Sequence, residues 1–116
     1  MSVNEKITRW LWRQGFCAYT VLPDERGAAI DIIAVKDEKA HALLLADFPA
    51  GDEYDYDLLT EAQVGACEAW LASRNTNPII VIIRENKAFF VLYKALKRDH
   101  KRPLDDRACF DLTEGS

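Results

Sequence analysis

The chain has 116 residues, of which 49% are hydrophobic and 29% charged, and its formal net charge is −4. This balance excludes an intrinsically disordered chain, and the acidic excess argues against a protein that coats nucleic acid by charge alone. No apolar run approaches the ~20 residues of a membrane span. The three cysteines (Cys17, Cys67 and Cys109) form no Cys-x-x-Cys pair, which predicts reduced core thiols in a cytoplasmic protein without a zinc site.

The first predicted element is an amphipathic helix over residues 3–14. Ser2-Val3-Asn4-Glu5 has the form of a capping box, and apolar residues follow it at helical spacing. Gly15 is typical of the residue that ends a helix. Residues 16–22 then have the composition of a first strand, which closes in a turn at residues 23–27.

Two short apolar runs follow at residues 28–35 and 41–48, separated by the polar turn Lys36-Asp37-Glu38-Lys39. Both are rich in Ile, Val and Leu and too short for typical helices, so we predict a strand hairpin. Each run carries one carboxylate, Asp31 or Asp47. A buried acid is costly unless it is paired, hydrogen-bonded or metal-bound, so the two acids indicate a site. The structural alternatives are an ion pair for Asp31 and a turn role for Asp47.

A helix and two further strands complete the predicted fold. An acidic loop over residues 52–57 leads to Thr60-Glu61-Ala62-Gln63, a second capping box that opens a helix over about 61–73. The continuous apolar run at 78–83 is typical of a central strand covered on both faces, and residues 88–93 form the last strand. The run at 41–48, the second helix and the strand at 78–83 predict a βαβ unit.

The predicted order is therefore α-β-β-β-α-β-β, an α/β fold with a mixed central sheet and helices packed on it. We assign residues 1–96 to this domain and residues 97–116 to a polar C-terminal tail. A basic run crosses that boundary and is a candidate nucleic-acid contact, the alternative being a solvated face. Its members are Lys94, Lys97, Arg98, Lys101 and Arg102.

The element order and the two acids resemble the PD-(D/E)xK nuclease superfamily, which has the restriction-endonuclease-like fold, and within it the archaeal Holliday-junction resolvases. In that family the first helix carries a Glu, here Glu5, before a Gly-Phe step, here Gly15-Phe16. Asp31 and the Thr60-x-x-Gln63 helix start also stand at family positions. Leu45-Ala46-Asp47-Phe48-Pro49 occupies the place of the family's Glu-x-Lys motif.

The resemblance implies catalytic positions at Asp31, Asp47 and Glu5, with Asp31 and Asp47 holding Mg²⁺ or Mn²⁺ through oxygen ligands. It also implies a homodimer that cleaves branched or structured DNA, in which the motif Lys helps to activate water. Pro49 stands where that Lys belongs. We therefore expect a catalytically impaired nuclease-fold protein that binds nucleic acid or a protein partner. The alternative is an active Mg²⁺-dependent endonuclease, and Glu5 is alternatively explained by its capping box.

Overall fold

The computed structural model describes residues 3–21, 29–46, 53–74, 76–84, 87–103 and 109–111. The helices in these ranges are α1 (Val3–Arg13), α2 (Glu61–Arg74) and α3 (Tyr93–Asp99), and a short 3-10 helix spans Tyr56–Leu58. The strands are β1 (Cys17–Thr20), β2 (Ile32–Lys36), β3 (Lys39–Ala46), β4 (Glu53–Asp55), β5 (Ile79–Arg84), β6 (Lys87–Leu92), β7 (Lys101–Pro103) and β8 (Cys109–Asp111). None of the described helices is long and apolar enough to cross a bilayer.

Six strands form one mixed sheet in the order β1-β2-β3-β5-β6-β8, and β4 pairs with β7 in a separate two-stranded sheet. The neighbours β3 and β5 run parallel, whereas the other neighbouring pairs of the large sheet are antiparallel. The chain between β3 and β5 contains α2, so the predicted βαβ unit is confirmed.

Helices cover both faces of the sheet. Successive residues of a strand point to opposite faces, and in β3 Leu43 packs with Ile7 of α1 while Leu44 packs with Cys67 of α2 and Leu96 of α3. All five residues are buried. The residues of β5 also pack alternately on the two faces: Ile80 and Ile82 lie in the cluster with α2 and α3, and Val81 lies in the cluster with α1. This confirms the prediction of a central strand covered on both sides.

Two tight turns owe their geometry to backbones with positive φ. Gly15 ends α1 with φ +92°, a conformation that side-chain-bearing residues rarely adopt. Asp37 and Glu38 connect β2 to β3 with φ +53° and +65°. Positive φ at both central residues defines the type I′ hairpin turn, whose twist matches that of the strands. The predicted hairpin is therefore present, with a two-residue turn.

The structure adds secondary structure to the predicted acidic loop and to the predicted tail. The acidic loop contains β4 and the short 3-10 helix, and α3 runs across residue 96. Within residues 97–116, β7 pairs with β4 and β8 extends the large sheet beside β6. Three-residue strands have too few positions to show a period, so only their tertiary pairing identifies them.

The cysteines differ from one another in exposure. Cys67 is fully buried between α2 and the sheet. Its burial, and secondarily the neighbouring Glu68, raise the pKa of its thiol to about 12, so it stays protonated and inert at neutral pH. Cys17 is exposed, so the prediction of a core thiol there is wrong. β1 lies at one edge of the sheet, where Cys17 is left uncovered. The side chain of Cys109 lies outside the described residues.

Candidate functional site

Asp31 lies half-buried just before β2, at the point where β2 and β3 separate. The strand register pairs Ile32 with Leu43, and the Asp31 N–H donates to the same Leu43 carbonyl at 3.0 Å. The Asp31 carboxylate then accepts a hydrogen bond from the Leu45 N–H, with 2.7 Å between Oδ2 and N. The side chain therefore supplies the acceptor that the backbone of β2 no longer offers to β3.

The carbonyl group of Leu45 is bound from another element, α2. Gln63 Nε2 donates to the Leu45 oxygen at 3.0 Å. Gln63 Oε1 also accepts from the Thr60 N–H at 2.9 Å, and Thr60 Oγ1 accepts from the Gln63 N–H at 3.1 Å. The second capping box is thus confirmed. Sequence reasoning identified Gln63 as a capping residue but missed its contact with β3, because no local pattern reports a bond across 18 positions.

We expect Gln63→Ala to lower the free energy of unfolding by about 1–2 kcal/mol, because it removes half of the capping box and the donor to the Leu45 carbonyl. Urea unfolding followed by circular dichroism measures the change. Gln63→Glu is the matched control: it keeps an oxygen acceptor for the Thr60 N–H but has no amide donor, so its destabilisation isolates the contact with β3. A Gln63→Ala protein as stable as the parent would contradict this role.

The second predicted metal ligand, Asp47, lies outside the described residues together with Pro49. The described positions of β3 on the α2-side face are Ala42, Leu44 and Ala46, and Ile33 of β2 packs into the same cluster. Within the ranges that the structure describes, no three His, Cys, Asp or Glu side chains are close enough to hold a metal ion. A two-carboxylate site therefore needs Asp47, and that pairing stays a prediction.

Glu5, the third predicted catalytic residue, is exposed in the first turn of α1. It lines a groove of about 340 Å³ between α1 and β1, and Asp31 is not among the lining residues. Trp12 and Tyr19 lie exposed in the same groove, and the Trp12 indole N–H donates to the Ala18 carbonyl at 2.8 Å. The lining of this groove thus places Glu5 beside the edge strand β1.

The predicted nucleic-acid-binding cations of α3 lie on one side of that helix. Lys94, Lys97 and Arg98 are all exposed, and their i, i+3, i+4 spacing places them on a common face. Two of the three are accompanied by acids. Lys97 forms an ion pair with Glu68, and the Arg98 Nε lies 3.0 Å from the carboxylate of Asp99. The positive charge of this face is therefore partly compensated within the chain.

The remaining two predicted cations lie on β7, opposite the acidic segment. The register of β4 and β7 places Lys101 opposite Asp55 and Arg102 opposite Tyr54. The Tyr56 N–H donates to the His100 carbonyl at 2.7 Å, next to this pairing. Sequence reasoning treated the acidic and basic segments as separate features, whereas the structure joins them in one two-stranded sheet.

A polar cluster beneath α3 links these elements. The hydroxyl of Tyr93, which is fully buried, donates to Glu68 Oε1 at 2.9 Å and lies 3.3 Å from the Tyr56 hydroxyl. The hydrogen bonds from Lys97 and then Tyr93 lower the pKa of Glu68, and burial is the main cause that raises the pKa of Tyr93. Glu68 is therefore a carboxylate and Tyr93 a neutral phenol at neutral pH.

Comparison with known proteins identifies the fold. No protein-family model and no curated protein sequence matches the chain. Among solved structures, the chain is similar to Hjc from Archaeoglobus fulgidus, a Holliday junction resolvase from an archaeal hyperthermophile, with a TM-score of 0.64 and 15% sequence identity. The match covers 97% of this chain and 94% of that chain. The protein therefore has the restriction-endonuclease-like nuclease fold that its sequence predicts.

Proposed function

We propose that the protein is a non-catalytic nuclease-fold module that binds branched or structured DNA. The proposal rests chiefly on the absence of the motif lysine from the sequence, and a hydrogen bond from the backbone to Asp31 supports it. Asp31 itself is engaged with the Leu45 N–H. Pro49 stands in the sequence where the related nucleases carry the Lys that helps to activate water. Asp31 therefore has a structural role, and the sequence lacks the lysine that would help to activate water.

DNA is favoured as the partner by the basic face of α3 and by the fold. Lys94, Lys97 and Arg98 form a row of exposed cations on one side of a helix, and cations in such rows contact phosphates. The Hjc protein that shares this fold is a Holliday junction resolvase, which makes a four-way junction the first DNA to test. A homodimer, as the resemblance implies, would present two such faces to a branched molecule.

An active Mg²⁺- or Mn²⁺-dependent endonuclease is the second candidate. Within the described contacts, the Asp31 carboxylate uses Oδ2 for the Leu45 N–H, which leaves Oδ1 for a hard cation. Asp31 and Asp47 would then hold the metal, which would polarise the phosphodiester. Metal-dependent cleavage of a junction that disappears in Asp31→Asn would establish this function and reject the non-catalytic one.

Fluorescence anisotropy with a labelled four-way junction and a duplex of equal length tests DNA binding. We expect binding without cleavage in the presence of Mg²⁺. Replacing Lys97, Arg98, Lys101 and Arg102 by Gln should weaken binding to both DNAs. It should also flatten the dependence of log K on log salt by roughly 0.9 for each phosphate that the protein no longer neutralises.

The matched control replaces two exposed lysines away from the basic face, Lys39 and Lys87, and is compared with the double replacement of Lys97 and Arg98, which removes the same charge. It should leave most of the affinity and the salt slope unchanged. Equal losses of affinity in the two variants would show a general charge effect and contradict a defined DNA face. An absence of binding at low salt would reject DNA as the partner and leave a protein partner.

A further inference from the structure

Glu68 of α2 holds the middle cation of the basic face of α3. Lys97 Nζ and the Tyr93 hydroxyl both donate to Oε1 of Glu68. The side chains of Lys97 and Glu68 are 50% and 43% exposed. Because both partners reach solvent, a phosphate group approaching α3 would meet this ion pair directly and not a free lysine.

The position of Glu68 is set by a buried partner. Tyr93 is fully buried at the start of α3, and its hydroxyl reaches Glu68 at 2.9 Å. The Tyr56 hydroxyl lies 3.3 Å from that of Tyr93 on its other side. A carboxylate bound to a buried phenol loses less freedom when it also pairs with a lysine than a free surface glutamate would. The acid is thus held where it faces the basic row.

We propose that Glu68 competes with DNA phosphate for Lys97 and thereby lowers the affinity of the basic face for DNA. This inference rests on the DNA-binding function proposed above. A phosphate that contacts Lys97 must either displace Glu68 or bind a cation whose charge is already compensated. Exposed ion pairs are weak, so the competition is reversible and tunes affinity without abolishing binding.

The test is Glu68→Gln, measured by anisotropy with the same labelled junction over a range of salt concentrations. The Gln side-chain oxygen still accepts the Tyr93 hydroxyl, so the buried contact is preserved. Glu61→Gln is the matched control, because Glu61 is an exposed acid two turns earlier on α2. We expect Glu68→Gln to raise DNA affinity about two- to fivefold more than Glu61→Gln, with a salt slope steeper by up to about one.

The gain must also depend on Lys97. In a Lys97→Gln background, Glu68→Gln should raise affinity no more than Glu61→Gln does. A gain that persists in that background, or equal gains from the two acid variants in the parent, would overturn the proposal while leaving DNA binding established. If neither the parent nor any variant binds DNA at low salt, the proposed function fails and this inference fails with it.

Discussion

Asp31→Ala will lower the free energy of unfolding by about 1–3 kcal/mol, whereas Asp31→Asn will stay within about 1 kcal/mol of the parent. The Ala variant leaves the Leu45 N–H, which donates to Asp31 Oδ2 at 2.7 Å, without its acceptor at the point where β2 and β3 separate. The Asn side chain presents a carbonyl oxygen at the same place. Urea unfolding measures both variants, and an Ala variant as stable as the parent would contradict this structural role.

The same pair of variants separates that structural role from metal binding. Titration of Mg²⁺ and then Mn²⁺ into the parent and into Asp31→Asn, followed by calorimetry, should give no saturable binding at millimolar metal if the protein is non-catalytic. Binding to the parent that vanishes in Asp31→Asn would support the endonuclease instead. Because the Asn variant keeps the hydrogen bond, such a loss of binding could not be attributed to unfolding.

Leu96→Ala will destabilise the protein by about 2–5 kcal/mol, because it empties a fully buried position in the cluster that α2 and α3 form against the sheet. Lys94→Ala is the control in the same helix. It removes an exposed side chain and should change stability by no more than about 0.5 kcal/mol. Thermal and urea unfolding of the two variants provide the comparison.

This pair of variants also bears on the predicted domain boundary. The sequence becomes polar after residue 96, which is why the boundary is predicted there, but residue 96 falls within α3, with Tyr93 and Leu96 both buried. A Leu96→Ala variant as stable as Lys94→Ala would show that α3 adds little to the core and would support a peripheral segment. A large difference would place α3 among the elements that hold the fold together.

Local sequence patterns set the framework of this protein. Capping boxes, apolar periodicity and the polar turn over residues 36–39 act between neighbouring residues, so α1, α2 and the β2–β3 hairpin are predictable from them. The long apolar run of β5 predicts its central place in the sheet. Those elements in that order are sufficient to indicate the nuclease-like fold.

The contacts between the charged and polar side chains are decided by the tertiary structure. Gln63 and Asp31 both form hydrogen bonds with the backbone of Leu45 from different parts of the chain. Glu68 of α2 forms an ion pair with Lys97 of α3. The acidic segment pairs with the basic one as β4 and β7. Each of these contacts joins residues that are distant in sequence. The strands β4 and β7 have only three residues each, too few to show the alternation typical of a strand. The physical cause of these contacts is the sheet packing that brings α2 and α3 over one face, which no local pattern encodes.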